Sequence, residues 1–204
     1  MLGLPKSTEV NKQLPKKAIY SKFQLNTVAK AKIDADISRI TIVNEISSER
    51  INIADGENIK SFFVICVSLK NKVFDQKNIV TLSKLVPQNI LFVLEYQDEV
   101  KLAINHTRLL QSQWMSKENA SVELKGMNLD TVWENIVAQV GNVDVKEGNT
   151  LEEQIIANEQ QVKLLKEIAR LEKQARNEKQ PKKKFELVQM IKKLKEETSS
   201  DKKE

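Results

Sequence analysis

Apolar residues first take helical spacing at Val28, Ala31 and Ala35, with Ile33 and Ile37 beside them, and Asn26 stands ahead as an N-cap. The spacing predicts a helix over 27–37. Residues 1–20 carry Pro5 and Pro15 in two similar phrases, LPKSTE and LPKKAI, and are expected to be irregular. From Arg39 to Ile46 apolar and polar positions alternate, as on a half-buried strand. SSER predicts a turn, INI a short paired strand, and ADGEN a tight turn. Ile59 to Leu69 is almost continuously apolar, the pattern of a strand covered on both faces. Helical spacing returns at Ile79, Leu82, Leu85 and Val86 and stops at Pro87. NILFVLEY, the clearest central strand, is followed by VKLAIN, RLLQSQWM and SVELKGM as an antiparallel meander. A last helix opens at Asp130, turns Val132, Trp133, Ile136, Val137 and Val140 inward, and stops at Gly141. The order predicts an α+β domain over 1–141, with a mixed, largely antiparallel sheet and flanking helices.

The pattern then changes. Residues 142–150 are polar and without period, and read as a linker. Beyond them Leu151, Ile155, Val162, Leu165 and Ala169 step by three, four or seven, and Leu164, Ile168, Leu171 and Ala175 widen the stripe. Asn158 occupies one seam position. After Pro181 the residues Phe185, Val188 and Ile191, with Leu187 and Leu194, repeat the pattern. Residues 151–197 thus read as a C-terminal helical, coiled-coil-like arm broken at Pro181, and 198–204 as a disordered tail. Helices of this kind gain too little from propensity to stand alone in water, so the stripe must be buried. A hairpin folded on itself is one solution, and packing on a partner's helix is the other.

Composition sharpens this picture. Hydrophobic residues at 40% and charged residues at 30% fit a globular chain, and no apolar run approaches the length that spans a bilayer. The opening residues lack the apolar core of a signal peptide and Cys66 has no partner for a disulfide, so a cytoplasmic setting is expected. The net charge of +5 divides evenly: residues 1–150 carry 19 basic and 17 acidic side chains, and residues 151–204 carry 14 and 11. Neither half is a strongly basic module. Lys182, Lys183 and Lys184 form a local cluster among acidic neighbours, which reads first as solvated helix surface and second as a phosphate contact.

Candidate chemistry is sparse. A restriction-type nuclease needs an Asp on one strand and Glu-x-Lys on the next to hold a divalent metal. On the buried strand that triplet reads Ser68-Leu69-Lys70, with serine in place of the carboxylate, and Asp55 would have to act from a turn. A degenerate, non-cleaving relative of that fold and an unrelated α+β sheet both remain open. His106 is the only histidine, so a zinc site built from several His or Cys ligands is excluded within one chain. No phosphate-binding glycine loop or dinucleotide fingerprint occurs, and neither cofactor nor metal is expected. Glu95 sits within an apolar strand and must be paired or strand-terminal. Trp114 and Trp133 read first as core residues and second as interface anchors.

The phrases LPKSTEVNKQLPKKAIY, ILFVLEYQDEVKLAI and LKGMNLDTVWENIVAQV, with Trp114–Met115 between the last two, resemble the bacterial domain of unknown function 4391. The tail LEKQARNEKQPKKKFELVQMIKKLKEE is similar to the helical tail of many members. The resemblance implies company with DNA methyltransferases, superfamily-two helicases or type III-like restriction subunits, hence an accessory role in restriction–modification or phage defence. It carries over no catalytic residue. The expectation is a non-enzymatic assembly subunit that docks a helicase-like or methyltransferase-like partner, or itself, through Ile155, Val162, Leu165, Val188 and Ile191. The alternative is a nucleic-acid-binding, degenerate restriction-endonuclease-like module using Lys70, Lys182, Lys183 and Lys184.

Overall fold

The apolar run that reads as a doubly covered strand becomes the centre of a seven-stranded mixed sheet. The computed structural model describes residues 2–143 and 150–200, with side chains to Lys195. The chain divides into two units, Met1–Asp144 and Val145–Glu204.

In the first unit the strands are β1 (Glu9–Gln13), β2 (Ile37–Ser47), β3 (Ser61–Leu69), β4 (Asn89–Tyr96), β5 (Glu99–Asn105), β6 (Leu109–Gln111) and β7 (Met115–Ser116). They lie in the order β1-β2-β3-β4-β5-β6, with β7 also on β5. Among these strands only β3 and β4 pair in parallel, because helix α4 (Gln76–Leu82) crosses over between them; the other strand pairs are antiparallel. The crossover through α4 yields the parallel pair and short turns yield the β4–β5 and β5–β6 hairpins, while β1 and β2 pair antiparallel across the longer connection of residues 14–36. The β4–β5 turn is made by Gln97 and Asp98, with Gln97 in the left-handed region at φ 53°.

One sheet face carries Ile40, Ile65, Val67, Phe92 and Leu94. Helices α1 (Lys16–Lys22), α2 (Thr27–Asp36) and α4 supply Ile19, Ile33, Ile79 and Leu82 to the same core. Asn26 caps α2 by accepting from Ala29 N–H at 2.8 Å, as its position predicts. The other face bears Phe62, Val64, Leu91, Val93, Leu102 and Ile104, all buried. Helix α5 (Leu129–Gly141) brings Trp133 to Phe62, with ring centroids 5.1 Å apart. Its start is a capping box in which Asn128 and Thr131 satisfy each other's backbone. Trp133 is therefore a core residue. Trp114 is partly buried against the first core, with Lys72 and Lys101 ammonium groups 5.4 and 5.3 Å from its ring.

Several expectations shift. Residues 2–20 are not irregular: they hold a turn at Lys6–Thr8, edge strand β1 and the start of helix α1. β1 exposes nearly every side chain, so no alternation marks it; the free edge of β2 recruits it. INI is not a strand: Ser48–Ile51 is the short helix α3, and Asn52 leaves it in the left-handed conformation at φ 54°. RLLQSQWM splits into β6 and β7, and SVELKGM contributes only the bridge of Ser121 to Leu2.

In the second unit, α6 (Leu151–Asn177) opens on a Thr150–Glu153 capping box and ends before Glu178. Three residues later α7 (Pro181–Ser200) begins with proline at its first position, where the missing N–H costs nothing. So short a connection turns the two helices into a hairpin. Ile168, Leu171 and Ala175 pack with Ile191, Leu187 and Leu194 along its seam, and Glu172 pairs with Lys195 at 2.8 Å. Of the expected linker, 144–149 lie outside the described residues; of the expected tail, 201–204 do, while α7 continues through Ser200.

Candidate functional site

Two surfaces merit a functional account, one in each unit. On the hairpin, the seam buries only part of the apolar stripe. Val162, Leu165 and Val188 remain 49%, 52% and 48% exposed, and Phe185 64%. Each residue turns a helix by about 100°. Counting from the seam places Leu165 and Val188 on the flank carrying the Glu172–Lys195 pair, with Val162 and Phe185 further round. Met190 and Ile156, both more than half exposed, fall on the opposite flank. Near the turn Gln174, Asn177, Lys183, Glu186 and Met190 line an open hollow of about 570 Å³.

The residues singled out from sequence therefore separate. Val162, Leu165 and Val188 are accessible. Ile191 sits in the seam, where it holds the hairpin together, and Ile155 is buried. Lys182, Lys183 and Lys184 are all exposed in the first turn of α7. Lys70, in the first unit, donates its ammonium group to the Asp34 backbone carbonyl. It belongs to a fastening network: Asp34 also accepts from Lys16 at 2.8 Å and from the Tyr20 hydroxyl at 2.6 Å. The Lys16 and Tyr20 hydrogen bonds hold the Asp34 carboxyl below its ordinary range, while burial first and then Asp34 push Tyr20 up to about 12. Among the described residues no three His, Cys, Asp or Glu side chains are placed to hold a metal. Nor is any helix among them long and apolar enough to cross a membrane.

The second surface is on the sheet. Register puts Arg39 opposite Ser68, Thr41 opposite Cys66, and Ser68 beside Glu95, so all five share the face that bears α5. No residue of α5 lines this end. Instead Asn11, Gln13, Arg39, Thr41, Val43, Cys66 and Glu95 surround a concavity of about 380 Å³. Glu95 accepts from Lys117 Nζ at 2.6 Å and from the Cys66 thiol at 3.2 Å. Burial pushes the Glu95 carboxyl up, but those two hydrogen bonds and the Lys117 and Arg39 charges outweigh it and hold the carboxyl below its usual value. The same pair raises Lys117. The carboxylate inside the apolar strand is thus paired, as its position demanded.

Sequence reading stopped at Glu95 and missed its neighbours. Alternation along β2 marks Arg39 and Thr41 as one face, but only pairing with β1 and β3 gathers them with Gln13 and Cys66. Burial first, then the Glu95 carboxylate, pushes the Cys66 thiol up to about 12. At pH 8 only on the order of one thiol in 10,000 is then ionised, and the thiolate is the nucleophile. Native Cys66 should therefore resist maleimide for hours and label fully in denaturant, followed by mass spectrometry. Stoichiometric labelling of the native chain within minutes would contradict that environment.

A family model described as a domain of unknown function, DUF4391, matches residues 2–197. No curated protein and no solved structure matches the chain.

Proposed function

Because the chain belongs to the DUF4391 family, a family without a stated activity, we propose its function from its own surfaces: a non-enzymatic assembly subunit whose α6–α7 hairpin docks a protein partner. One observation carries this. Most of the exposed large apolar side chains among the described residues lie on the hairpin: Ile156, Val162, Leu165, Phe185, Val188 and Met190. The hairpin already has its own seam, so this second set is not needed to hold the helices together. Leu165 and Val188, with Val162 and Phe185 further round, gather on one flank, and exposed apolar residues gathered in this way mark an interaction surface. We further propose a helicase-like or DNA methyltransferase-like subunit of a restriction–modification or phage-defence complex as the partner, on the strength of the family resemblance.

Affinity purification of the tagged chain from its own host, with identification of co-purifying chains, supplies the partner. Val162→Asp with Leu165→Asp should then weaken that complex at least about 100-fold, since each buried aliphatic side chain contributes ~1.5–3 kcal/mol. Both positions lie off the seam, so helicity should be retained, which circular dichroism checks. The exposed run Lys182, Lys183 and Lys184 favours the second reading, a nucleic-acid-binding, degenerate restriction-endonuclease-like module. Changing all three to Gln should leave the protein complex intact. Loss of nucleic-acid affinity and a flatter salt dependence in that variant, with the protein complex unaffected by the Asp pair, would replace the first reading with the second.

A further inference from the structure

The concavity on the sheet holds a guanidinium, that of Arg39, whose charge acts on the nearby Glu95 carboxylate but which makes no hydrogen bond or ion pair among the described residues. Glu95 is already balanced by Lys117 at 2.6 Å. The Asn11 and Gln13 amides and the Thr41 hydroxyl line the same hollow, likewise without a side-chain hydrogen bond to the described protein. Val43 and the un-ionised Cys66 supply its less polar wall. Four side chains with unused hydrogen-bonding capacity therefore converge on about 380 Å³, within the size range of small-molecule sites. The hollow lies on one face of β1 to β4, with Glu95 at its wall near the carboxyl end of β4. Asn11 itself is held at φ 51° by the bulge between Glu9 and Lys12, which aims it differently from its strand neighbours.

We propose that this hollow binds a small oxyanion-bearing molecule, with its carboxylate or phosphate on Arg39 and its polar body on Asn11, Gln13 and Thr41. A guanidinium matches either oxyanion with two parallel N–H donors, and the Lys117 ammonium group offsets the Glu95 charge on the hollow's wall. This inference is independent of the hairpin reading: it concerns another unit, and either can fail alone.

The test is an amide NMR titration of the full chain with inorganic phosphate, with succinate, and with a short single-stranded DNA, each against sodium chloride of equal ionic strength. Saturable shifts centred on Arg39, Thr41 and Cys66 are expected with phosphate or succinate, and the stronger of the two identifies the oxyanion. Arg39→Gln should weaken that binding at least about tenfold, the worth of one charge-assisted hydrogen bond. Arg39→Lys should recover only part of it. Thr41→Val provides a second variant should Arg39→Gln lose its dispersed spectrum. Absence of saturable shifts with both small anions, or binding unchanged in folded Arg39→Gln, overturns the proposal. Saturation by the DNA alone also overturns it, in favour of a nucleic-acid surface.

Discussion

Truncating Phe62 to alanine is expected to cost about 3–5 kcal/mol of stability, the usual loss for a fully enclosed aromatic side chain. Phe62 has no exposed surface and meets Trp133 5.1 Å away at a 55° tilt, so the variant loses both transfer energy and a ring contact. This pair joins the second sheet face to α5. The cavity left behind would lie between β3 and α5. A thermal melt should show the main transition lowered by on the order of 10–20 °C. Phe62→Leu should recover more than half of that loss. A melt within a few degrees of the parent would show that α5 does not depend on this contact.

The next largest effect is expected at Gly56, from a different cause. The Asp130 carboxylate near the start of α5 accepts three backbone N–H groups, those of Glu57 at 2.8 Å, Asn58 at 3.1 Å and Ile59 at 2.8 Å. The loop can come this close only because residue 56 has no side chain. A Cβ there would lie 2.2 Å from Asp130 Oδ1 and 2.8 Å from its backbone nitrogen. Gly56→Ala must push the loop off the helix, at a cost of about 1–3 kcal/mol. In an Asp130→Ala background the same substitution should cost less, because the carboxylate it strikes is gone; strict additivity would contradict the account.

The same contact predicts a pH dependence. The Asn58, Ile59 and Glu57 N–H groups hold the Asp130 carboxyl below its ordinary value, Asn58 most strongly. A carboxyl lowered in the folded state binds its proton more readily in the unfolded chain. Its contribution is therefore complete above the ordinary carboxylate range and disappears as pH falls through the lowered folded value. Asp130→Asn should reduce stability at neutral pH and flatten the acid side of the stability profile. An acid limb unchanged in slope would assign that titration to other groups.

Much of this protein follows from local pattern. Helix α2 with its Asn26 cap, the central strands β3, β4 and β5, helix α5 and the helical arm all occupy the positions that periodicity predicts. Each is decided by a period or a cap within a few residues, and such signals act before distant parts of the chain meet. The class follows as well, because helices interleaved with apolar strands predict an α+β domain and the short turns from β4 to β6 make antiparallel neighbours. Glu95 could likewise be marked as needing a partner, since a carboxylate in an apolar strand always does.

Tertiary structure alone decided the remainder. Edge strand β1 has no burial pattern of its own and exists because β2 offers unpaired backbone groups. The choice between a self-packed hairpin and a partner-bound stripe was also undetermined, since the same apolar diagonals serve both. Only the three-residue turn and the seam of Ile168, Leu171 and Ile191 assign some of them inward and leave Val162, Leu165 and Val188 outside. The partner of Glu95 is Lys117, twenty-two positions away and on no shared period, brought back by the β4–β5 hairpin and β7. Arg39, Thr41, Cys66 and Gln13 form a surface only through strand register, which long-range hydrogen bonding sets and no local spacing encodes.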